Sequence, residues 1–203
     1  MKNSHQIIIK QNFDKYKEVF LEENSKLNLM SKNDEKLLFE KHIYDSLAIK
    51  LLFNKLKTTP ETLLDIGTGG GFPSIPIAIE FPEISVTGID SIQKKVNAVT
   101  TIAEKLALKN ITFIRDRVEN LKGQEFDIIT SRAVAQTSQL IEYAYPLLKK
   151  DGYLVLYKSK TVNEELEAAK PLIRKLHLKI HDIIEYSLPL EDNFNRCLLI
   201  LQK

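Results

Sequence analysis

The sequence contains a single cysteine, Cys197, which excludes an intramolecular disulfide and any cysteine-rich zinc site. No stretch approaches the roughly 20 apolar residues that a membrane-spanning helix needs, and residues 1–10 lack a signal-peptide pattern. Neither sign of charge dominates, since 29 Lys and Arg residues stand against 27 Asp and Glu residues, so composition alone does not indicate a nucleic-acid binder. From these absences we expect a cytoplasmic protein, a monomer, with no membrane partner and no metal site.

The chain has 203 residues, 43% of them hydrophobic, which suits one well-buried domain. Residues 1–58 carry apolar side chains at spacings of three, four and seven, which predicts amphipathic helices. From residue 62, short strand-like runs alternate with helical stretches, and this predicts a mostly parallel sheet with helices on both faces. Two consecutive strand-like runs near the end predict an antiparallel edge. We therefore predict an α/β fold with a seven-stranded sheet, in which a helical extension (1–58) and a domain (59–203) form one structural unit.

Four of the seven glycines lie within five positions, directly after the apolar run Leu63–Ile66. A glycine-rich turn between a strand and a helix lets the backbone approach a ligand closely, although a merely flexible loop is the alternative. The dinucleotide pattern G-x-G-x-x-G fails because Phe72 occupies its last position, and the Gly-Lys-Ser/Thr ending of a P-loop is absent. The pattern that fits is Asp65, Gly67, Gly69 and Gly71, which resembles the first motif of Rossmann-like methyltransferases that use S-adenosylmethionine.

Two further groups of candidate cofactor contacts follow the next strand-like runs. Asp90 ends the run ISVTGID, where a carboxylate could accept both ribose hydroxyls of a nucleoside, or could instead cap the following helix. After the run ITFIRD, the backbone N–H of Val118 or Glu119 could reach an adenine edge, or could simply begin a helix.

Several motifs occur in an order that resembles one family. They are Asn28-Leu29-Met30-Ser31, Lys41-His42-Ile43-Tyr44-Asp45-Ser46, Asp65-Ile66-Gly67-Thr68-Gly69-Gly70-Gly71-Phe72-Pro73, Ser131-Arg132-Ala133 and Tyr157-Lys158. Over nearly the whole chain they resemble the bacterial small-subunit ribosomal RNA guanine-N7 methyltransferases, historically called glucose-inhibited division protein B. Met30 and Ser159 depart from the family, which often has threonine at the first position and commonly glycine at the second.

This resemblance implies a class I, Rossmann-like methyltransferase that transfers a methyl group from S-adenosylmethionine to N7 of one guanine. It implies 16S rRNA, or a precursor of the small ribosomal subunit, as the partner. The cofactor contacts that it implies are Asp65, Gly67, Gly69, Gly71, Phe72, Asp90, Val118, Glu119 and Arg132. The substrate RNA contacts that it implies are Arg117, Arg132, Lys158 and Arg196.

Guanine N7 carries a lone pair and no proton, so its methylation requires alignment of donor and acceptor and no general base. We expect Arg132 to be the catalytic residue and to contact the target guanine or its phosphate. For Arg117, Arg132 and Arg196, surface salt bridges are the alternative. His42 and Asp45, one helical turn apart, could close over the cofactor or stiffen the extension. A small-molecule methyltransferase and a non-catalytic nucleotide-binding or division-associated protein stay open as other functions.

Overall fold

The computed structural model describes residues 7, 9–56, 59–132, 135–159, 162–190 and 194–203. In this part of the chain seven strands form one sheet. The strands are β1 (Thr62–Ile66), β2 (Ser85–Asp90), β3 (Ile111–Arg115), β4 (Phe126–Arg132), β5 (Leu148–Lys158), β6 (Lys179–Ser187) and β7 (Asn195–Gln202). Their order across the sheet is β3-β2-β1-β4-β5-β7-β6. Strands β1 to β5 pair in parallel, whereas β7 pairs antiparallel with both β5 and β6. The predicted mostly parallel sheet with an antiparallel edge is confirmed.

The helices cover both faces of this sheet, as predicted. They are α1 (Asp14–Leu27), α2 (Lys32–Glu35), a π-helical turn (Leu38–Ile43), α3 (Tyr44–Ser46), a 3-10 turn (Leu47–Ile49), α4 (Lys50–Phe53), α5 (Ser74–Glu80), α6 (Gln93–Lys105), a 3-10 turn (Val118–Asn120), α7 (Thr137–Ala144), a 3-10 turn (Tyr145–Leu147) and α8 (Val162–Lys175).

Successive side chains of the central strands are buried on opposite faces, because side chains alternate along a strand. In β1, Leu63 packs with the residues of α1 and α4 to α6, whereas Leu64 packs with those of α7 and α8. Both side chains are fully buried, which explains why apolar residues stand next to each other in this strand.

The N-terminal helical segment belongs to the same hydrophobic core as the sheet. Tyr16 and Phe20 of α1 are buried, and their rings lie 6.1 Å and 5.1 Å from the ring centroid of Phe72, in the loop after β1. The segment therefore packs directly on the glycine-rich loop. The predicted boundary at residues 58 and 59 stays a prediction, because residues 57 and 58 lie outside the described ranges.

The strand order places the loops after β1, β2, β3 and β4 at one edge of the sheet. The chain reverses direction across the sheet between β1 and β4, and ligands of open α/β sheets bind at the carboxyl ends of strands beside such a switch. Ile66 lies opposite Ser131 in the pairing of β1 with β4, so the glycine-rich loop and Arg132 emerge side by side.

Candidate functional site

A cavity of about 830 Å3 lies at this carboxyl edge. Its walls come from the loop after β1, the segments that follow β2 and β3, the end of β4, and the N-terminal helical segment. The residues that line it are Leu29, Met30, Ser31, Asp34, His42, Ile66, Gly67, Thr68, Gly69, Gly70, Phe72, Ile89, Asp90, Ser91, Ile92, Lys95, Asp116, Arg117, Val118, Glu119, Arg132 and Tyr143. Seven of the nine predicted cofactor contacts are among them, and the other two are Asp65 and Gly71.

The glycines of the loop serve two different purposes. Gly67, Gly69 and Gly71 all have positive φ, of 70°, 56° and 88°, which other residues adopt only with strain. A Cβ on Gly69 would come within 4 Å only of the Gly67 carbonyl oxygen, at 3.8 Å, so the bare backbone of Gly69 faces open space in the cavity wall. A Cβ on Gly71 would lie 2.5 Å from Ile75 Cδ1. Gly71 therefore packs against α5, and its expected cofactor contact stays a prediction.

Asp65 lies beneath the loop, with no exposed surface. Its Oδ1 accepts a hydrogen bond of 2.9 Å from the Thr130 hydroxyl of β4. Burial raises the pKa of this carboxyl to about 6, and the hydroxyls of Thr68 and Thr130 oppose that shift. The side chain supports the loop from below and is not among the lining residues, and its expected contact with the cofactor stays a prediction.

Asp90 does not cap the following helix, because the N-cap of α6 is Ile92, and its expected contact with ribose hydroxyls stays a prediction. Its carboxylate lies in the cavity wall, where Oδ2 accepts from the Gly69 backbone N–H at 3.0 Å and Oδ1 accepts from the Ile92 N–H at 2.9 Å. The end of β2 is thus tied to the glycine-rich loop. Each carboxylate oxygen has a second lone pair that can accept from a ligand hydroxyl.

Ile92 is a cavity residue that the sequence reasoning missed. Its side chain is 48% exposed and lies in the cavity wall, as does the buried Val118 of the segment after β3. Val118 and Glu119 begin a 3-10 turn, which fits the reading as a helix start, and the expected backbone contact with an adenine edge stays a prediction. A large apolar residue two positions after the acid that ends β2 is the signal that could have identified Ile92.

Asp45 is the centre of a buried ionic cluster. Its Oδ1 accepts a 2.5 Å hydrogen bond from the Tyr186 hydroxyl, and its Oδ2 lies 3.2 Å from one terminal nitrogen each of Arg132 and Arg196. Arg196 Nε also donates to Oδ1, at 3.3 Å. The guanidinium charge of Arg196 is thus compensated inside the protein by Asp45, and its expected RNA contact stays a prediction.

Lys158 also forms an ion pair within the protein, and its expected RNA contact stays a prediction. Its Nζ lies 2.6 Å from Glu165 Oε2, and only 10% of its side chain is exposed. The same carboxylate accepts from the Thr137 hydroxyl at 2.7 Å, so this ion pair joins β5 to α7 and α8. Arg117, in contrast, is exposed at the rim of the cavity and keeps its predicted position.

Arg132 lies in the cavity wall, but its hydrogen bonds point into the protein. One terminal nitrogen donates to Asp45, and the other lies 3.0 Å from His42 Nδ1. Its guanidinium carbon is 5.2 Å from the centroid of the Phe72 ring, within cation–π range. Burial and the positive charge of Arg132 lower the pKa of His42 to about 4. Ala133, the last residue of the Ser-Arg-Ala motif, lies outside the described residues.

Other chemistry was sought in the part of the chain that the structure describes. No group of three or more His, Cys, Asp or Glu side chains there could hold a metal ion. No helix within the described ranges is both long and apolar enough to span a bilayer. Cys197 is buried in β7, and burial raises the pKa of its thiol to about 11, so it is a poor nucleophile.

A family model and the related proteins that match this chain carry the same family description. A family model described as rRNA small subunit methyltransferase G matches residues 9–189. A protein of Staphylococcus saprophyticus subsp. saprophyticus named ribosomal RNA small subunit methyltransferase G is 41% identical over 197 residues, which cover 95% of this chain and 81% of that protein. A protein of the same name from Lactococcus lactis subsp. lactis is 40% identical over 201 residues, which cover 96% of this chain and 83% of its own.

Solved structures of lower identity share the fold. An O-methyltransferase from Bacillus cereus, in complex with SAH, superposes with a TM-score of 0.66 at 16% identity, covering 97% of this chain and 94% of that one. A SAM-dependent methyltransferase from Aquifex aeolicus superposes with a TM-score of 0.63 at 18% identity, covering 88% of this chain and 97% of that one.

Proposed function

The chain belongs to the rRNA small subunit methyltransferase G family, and from that membership we propose that it transfers a methyl group from S-adenosylmethionine to N7 of one guanine in 16S rRNA. Methylation of small-subunit rRNA is the activity that the family name states. The choice of guanine N7 rests on the motif resemblance. The observation that carries the proposal is the cavity at the carboxyl ends of β1 to β4, whose wall includes both the glycine-rich loop and the family motif residues His42 and Arg132.

The residues of this cavity fit the cofactor. Gly69 presents bare backbone where a side chain would enter the cavity, and Asp90 presents a carboxylate suited to ribose hydroxyls. Ile92 and Val118 offer apolar surface suited to an adenine ring. When bound, S-adenosylmethionine supplies a methyl group on a positively charged sulfur, which a lone pair can attack.

The chain's own groups suit a reaction without proton abstraction from the base. N7 of guanine has no proton to lose, so the protein needs only to hold the guanine with N7 in line with the methyl group of the cofactor. His42, which lies in the cavity wall, is neutral near pH 7 because its pKa is about 4. The Asp90 oxygens already accept two backbone hydrogen bonds. Both groups therefore act as fixed hydrogen-bonding partners.

We infer a partner and a setting that agree with this function. The exposed Arg117 at the cavity rim, with Lys95 nearby in the same wall, supplies positive charge for the phosphates of 16S rRNA or of a small-subunit precursor. The monomeric state stays a prediction, and ribosomal RNA as substrate supports a cytoplasmic setting.

The test is to map N7-methylguanosine in 16S rRNA from cells with and without the gene, and then to restore it with purified protein and S-adenosylmethionine. We expect one guanine to lose its methyl group in the deleted strain and to regain it in vitro. A protein that binds S-adenosylmethionine but neither retains RNA nor methylates it would be a small-molecule methyltransferase. A protein without any turnover would be a binding protein.

Arg132→Ala extends this test to the cavity wall. We expect the affinity for S-adenosylmethionine to stay within about 1 kcal/mol of the unsubstituted protein. The rate of methylation should fall at least tenfold, which corresponds to about 1.4 kcal/mol of lost transition-state stabilisation. Arg132→Lys should recover only part of this activity, because lysine keeps the positive charge but lacks the planar guanidinium. Arg174→Ala, an exposed arginine on α8, is the matched control and should leave methylation unchanged. Equal methylation by Arg132→Ala and the unsubstituted protein would remove Arg132 from the reaction site.

A further inference from the structure

The two ring nitrogens of His42 differ in their surroundings. Nδ1 lies 3.0 Å from a terminal nitrogen of Arg132. A guanidinium can only donate hydrogen bonds, so Nδ1 must accept, and the ring proton is on Nε2. Nε2 is buried and has no hydrogen-bond partner among the described residues. The carboxylate oxygen Asp34 Oδ1, at 3.9 Å from Nε2, is beyond hydrogen-bonding distance.

A buried donor without a partner costs free energy, so its persistence calls for an explanation. The imidazole cannot turn freely to find a partner, because Arg132 holds Nδ1 and the Phe72 ring lies 5.3 Å away between centroids. His42 lines the cavity. Its Nε2–H is thus a fixed donor buried beside the site, and a ligand that enters there can supply the acceptor.

The ring is neutral under the conditions in which the protein would act. Burial lowers the pKa of His42 to about 4, and the positive charges of Arg132 and Lys41 act in the same direction. The carboxylates of Asp34 and Asp45 oppose this shift without overcoming it. His42 therefore offers one N–H donor and no net charge at pH 7.

The sheet order locates this donor relative to the two ligands. Asp90 follows β2, and Val118 and Glu119 follow β3, on one side of β1. His42 is bonded to Arg132 at the end of β4, on the other side of β1. The nucleoside contacts are therefore at one end of the cavity, and His42 is at the opposite end, where a methyl acceptor can enter.

We propose that His42 Nε2–H donates a hydrogen bond to O6 of the target guanine and so holds N7 in line with the methyl group. This proposal rests on the proposed function. O6 and N7 are adjacent acceptors on one edge of guanine, so a donor to O6 can orient the base while N7 stays free. Arg132 is then a positioning residue, because its contact with Nδ1 fixes the proton on Nε2.

A neutral donor suits the charge changes of this reaction. The N7 lone pair forms the new bond to the methyl carbon, and the electron pair of the broken sulfur–carbon bond stays on sulfur. Positive charge passes from sulfur to the purine, and no proton moves. A cationic donor at O6 would oppose the charge that develops on the base, whereas the neutral imidazole does not. Asp45 meanwhile keeps the guanidinium charge of Arg132 compensated.

Two substitutions separate the nitrogens of His42. His42→Asn keeps an acceptor at the Nδ1 position and removes the Nε2–H, whereas His42→Gln can return an N–H donor at the Nε2 position. We expect His42→Asn to lower kcat/KM for 16S rRNA about tenfold, with the Kd for S-adenosylmethionine changed less than about threefold. His42→Gln should recover at least half of the lost activity. Urea unfolding of each variant checks the fold.

The substrate provides the matching change. RNA that carries 2-aminopurine at the mapped target position keeps N7 and lacks O6. Wild type should methylate it about tenfold more slowly than guanine RNA, and His42→Asn should show no further loss on it, because the same contact is already gone. Wild type tested on guanine RNA establishes the proposed function separately.

Three results would overturn the proposal. Equal activity of wild type and His42→Asn on guanine RNA would show that the donor contacts nothing in the reaction. A tenfold weaker affinity of His42→Asn for S-adenosylmethionine would assign Nε2–H to the cofactor, whose carboxylate is then the acceptor. Undiminished methylation of 2-aminopurine RNA by wild type would exclude O6 as the acceptor of the His42 hydrogen bond. This experiment uses only the wild-type protein, so it remains decisive even if the variants fail to fold.

Discussion

Asp45→Asn tests whether one buried carboxylate holds the N-terminal helical segment to the far strands of the sheet. The Asp45 side chain is 2% exposed, and those of its partners Arg132 and Arg196 are 14% and 19% exposed. The Tyr186 hydroxyl also donates to it. The substitution keeps the volume and one acceptor oxygen, but removes the negative charge between two guanidinium groups.

Removing one partner of a buried ion pair costs about 3–5 kcal/mol, because the remaining charge is left uncompensated. Both arginines retain some contact with solvent, so we expect the free energy of unfolding to fall by about 3 kcal/mol, at the lower end of this range. For a chain of this size each kcal/mol lowers Tm by about 2–4 °C, so Tm should fall by about 6–12 °C. Urea unfolding and calorimetry at pH 7 measure both quantities.

Two further variants make the result specific. Glu167→Gln removes the carboxylate of an exposed pair with Lys170, in which the Glu167 side chain is 67% exposed, and should cost less than about 1 kcal/mol. Adding Arg196→Met to Asp45→Asn should restore part of the stability, since one of the two uncompensated positive charges is then gone. A loss below about 1 kcal/mol in Asp45→Asn would refute the reasoning, because the arginines would then be solvated without the carboxylate.

Three other predictions concern the cavity and its surroundings. Gly69→Val should weaken S-adenosylmethionine binding at least about tenfold in calorimetry and lower stability only through the strain of its positive φ. Gly71→Val should lower stability in urea further, because its Cβ would in addition meet Ile75 at 2.5 Å. An equal loss of stability in both variants would contradict this division. Asp90→Ala should weaken S-adenosylmethionine binding by about 1.5–3 kcal/mol, the range for hydrogen bonds to charged groups. A loss of stability with unchanged affinity would show that Asp90 serves only its backbone hydrogen bonds. Lys158→Met should lower the free energy of unfolding by about 1–3 kcal/mol, because it leaves the partly buried carboxylate of Glu165 without its cation. RNA retention should stay within about twofold. A tenfold loss of RNA retention would instead place Lys158 on the RNA-binding surface.

Much of the fold followed from local chemistry that is written along the chain. Apolar runs such as that of β1 require burial on both faces, and this alone indicates a parallel sheet covered by helices. The glycine cluster predicted the ligand loop, because positive φ is a property of the individual residue. The extent of β5 was less evident. It begins at Leu148, before the apolar run, because pairing with Phe126 of β4 extends it through a polar stretch.

The sequence by itself determined the class of fold, the glycine-rich loop that lines the cavity and the family. Only the tertiary structure decided which charged side chains are free to meet a substrate. Asp45 is separated in sequence from Arg132, Tyr186 and Arg196 by 87, 141 and 151 residues, yet all three contact it. Periodicity shows which face of an element a residue occupies, but the compensation of a charge depends on distance in space, and the order of strands in the sheet sets that distance. For the same reason a sequence cannot show that, among the residues that the structure describes, one nitrogen of His42 has a hydrogen-bond partner and the other has none.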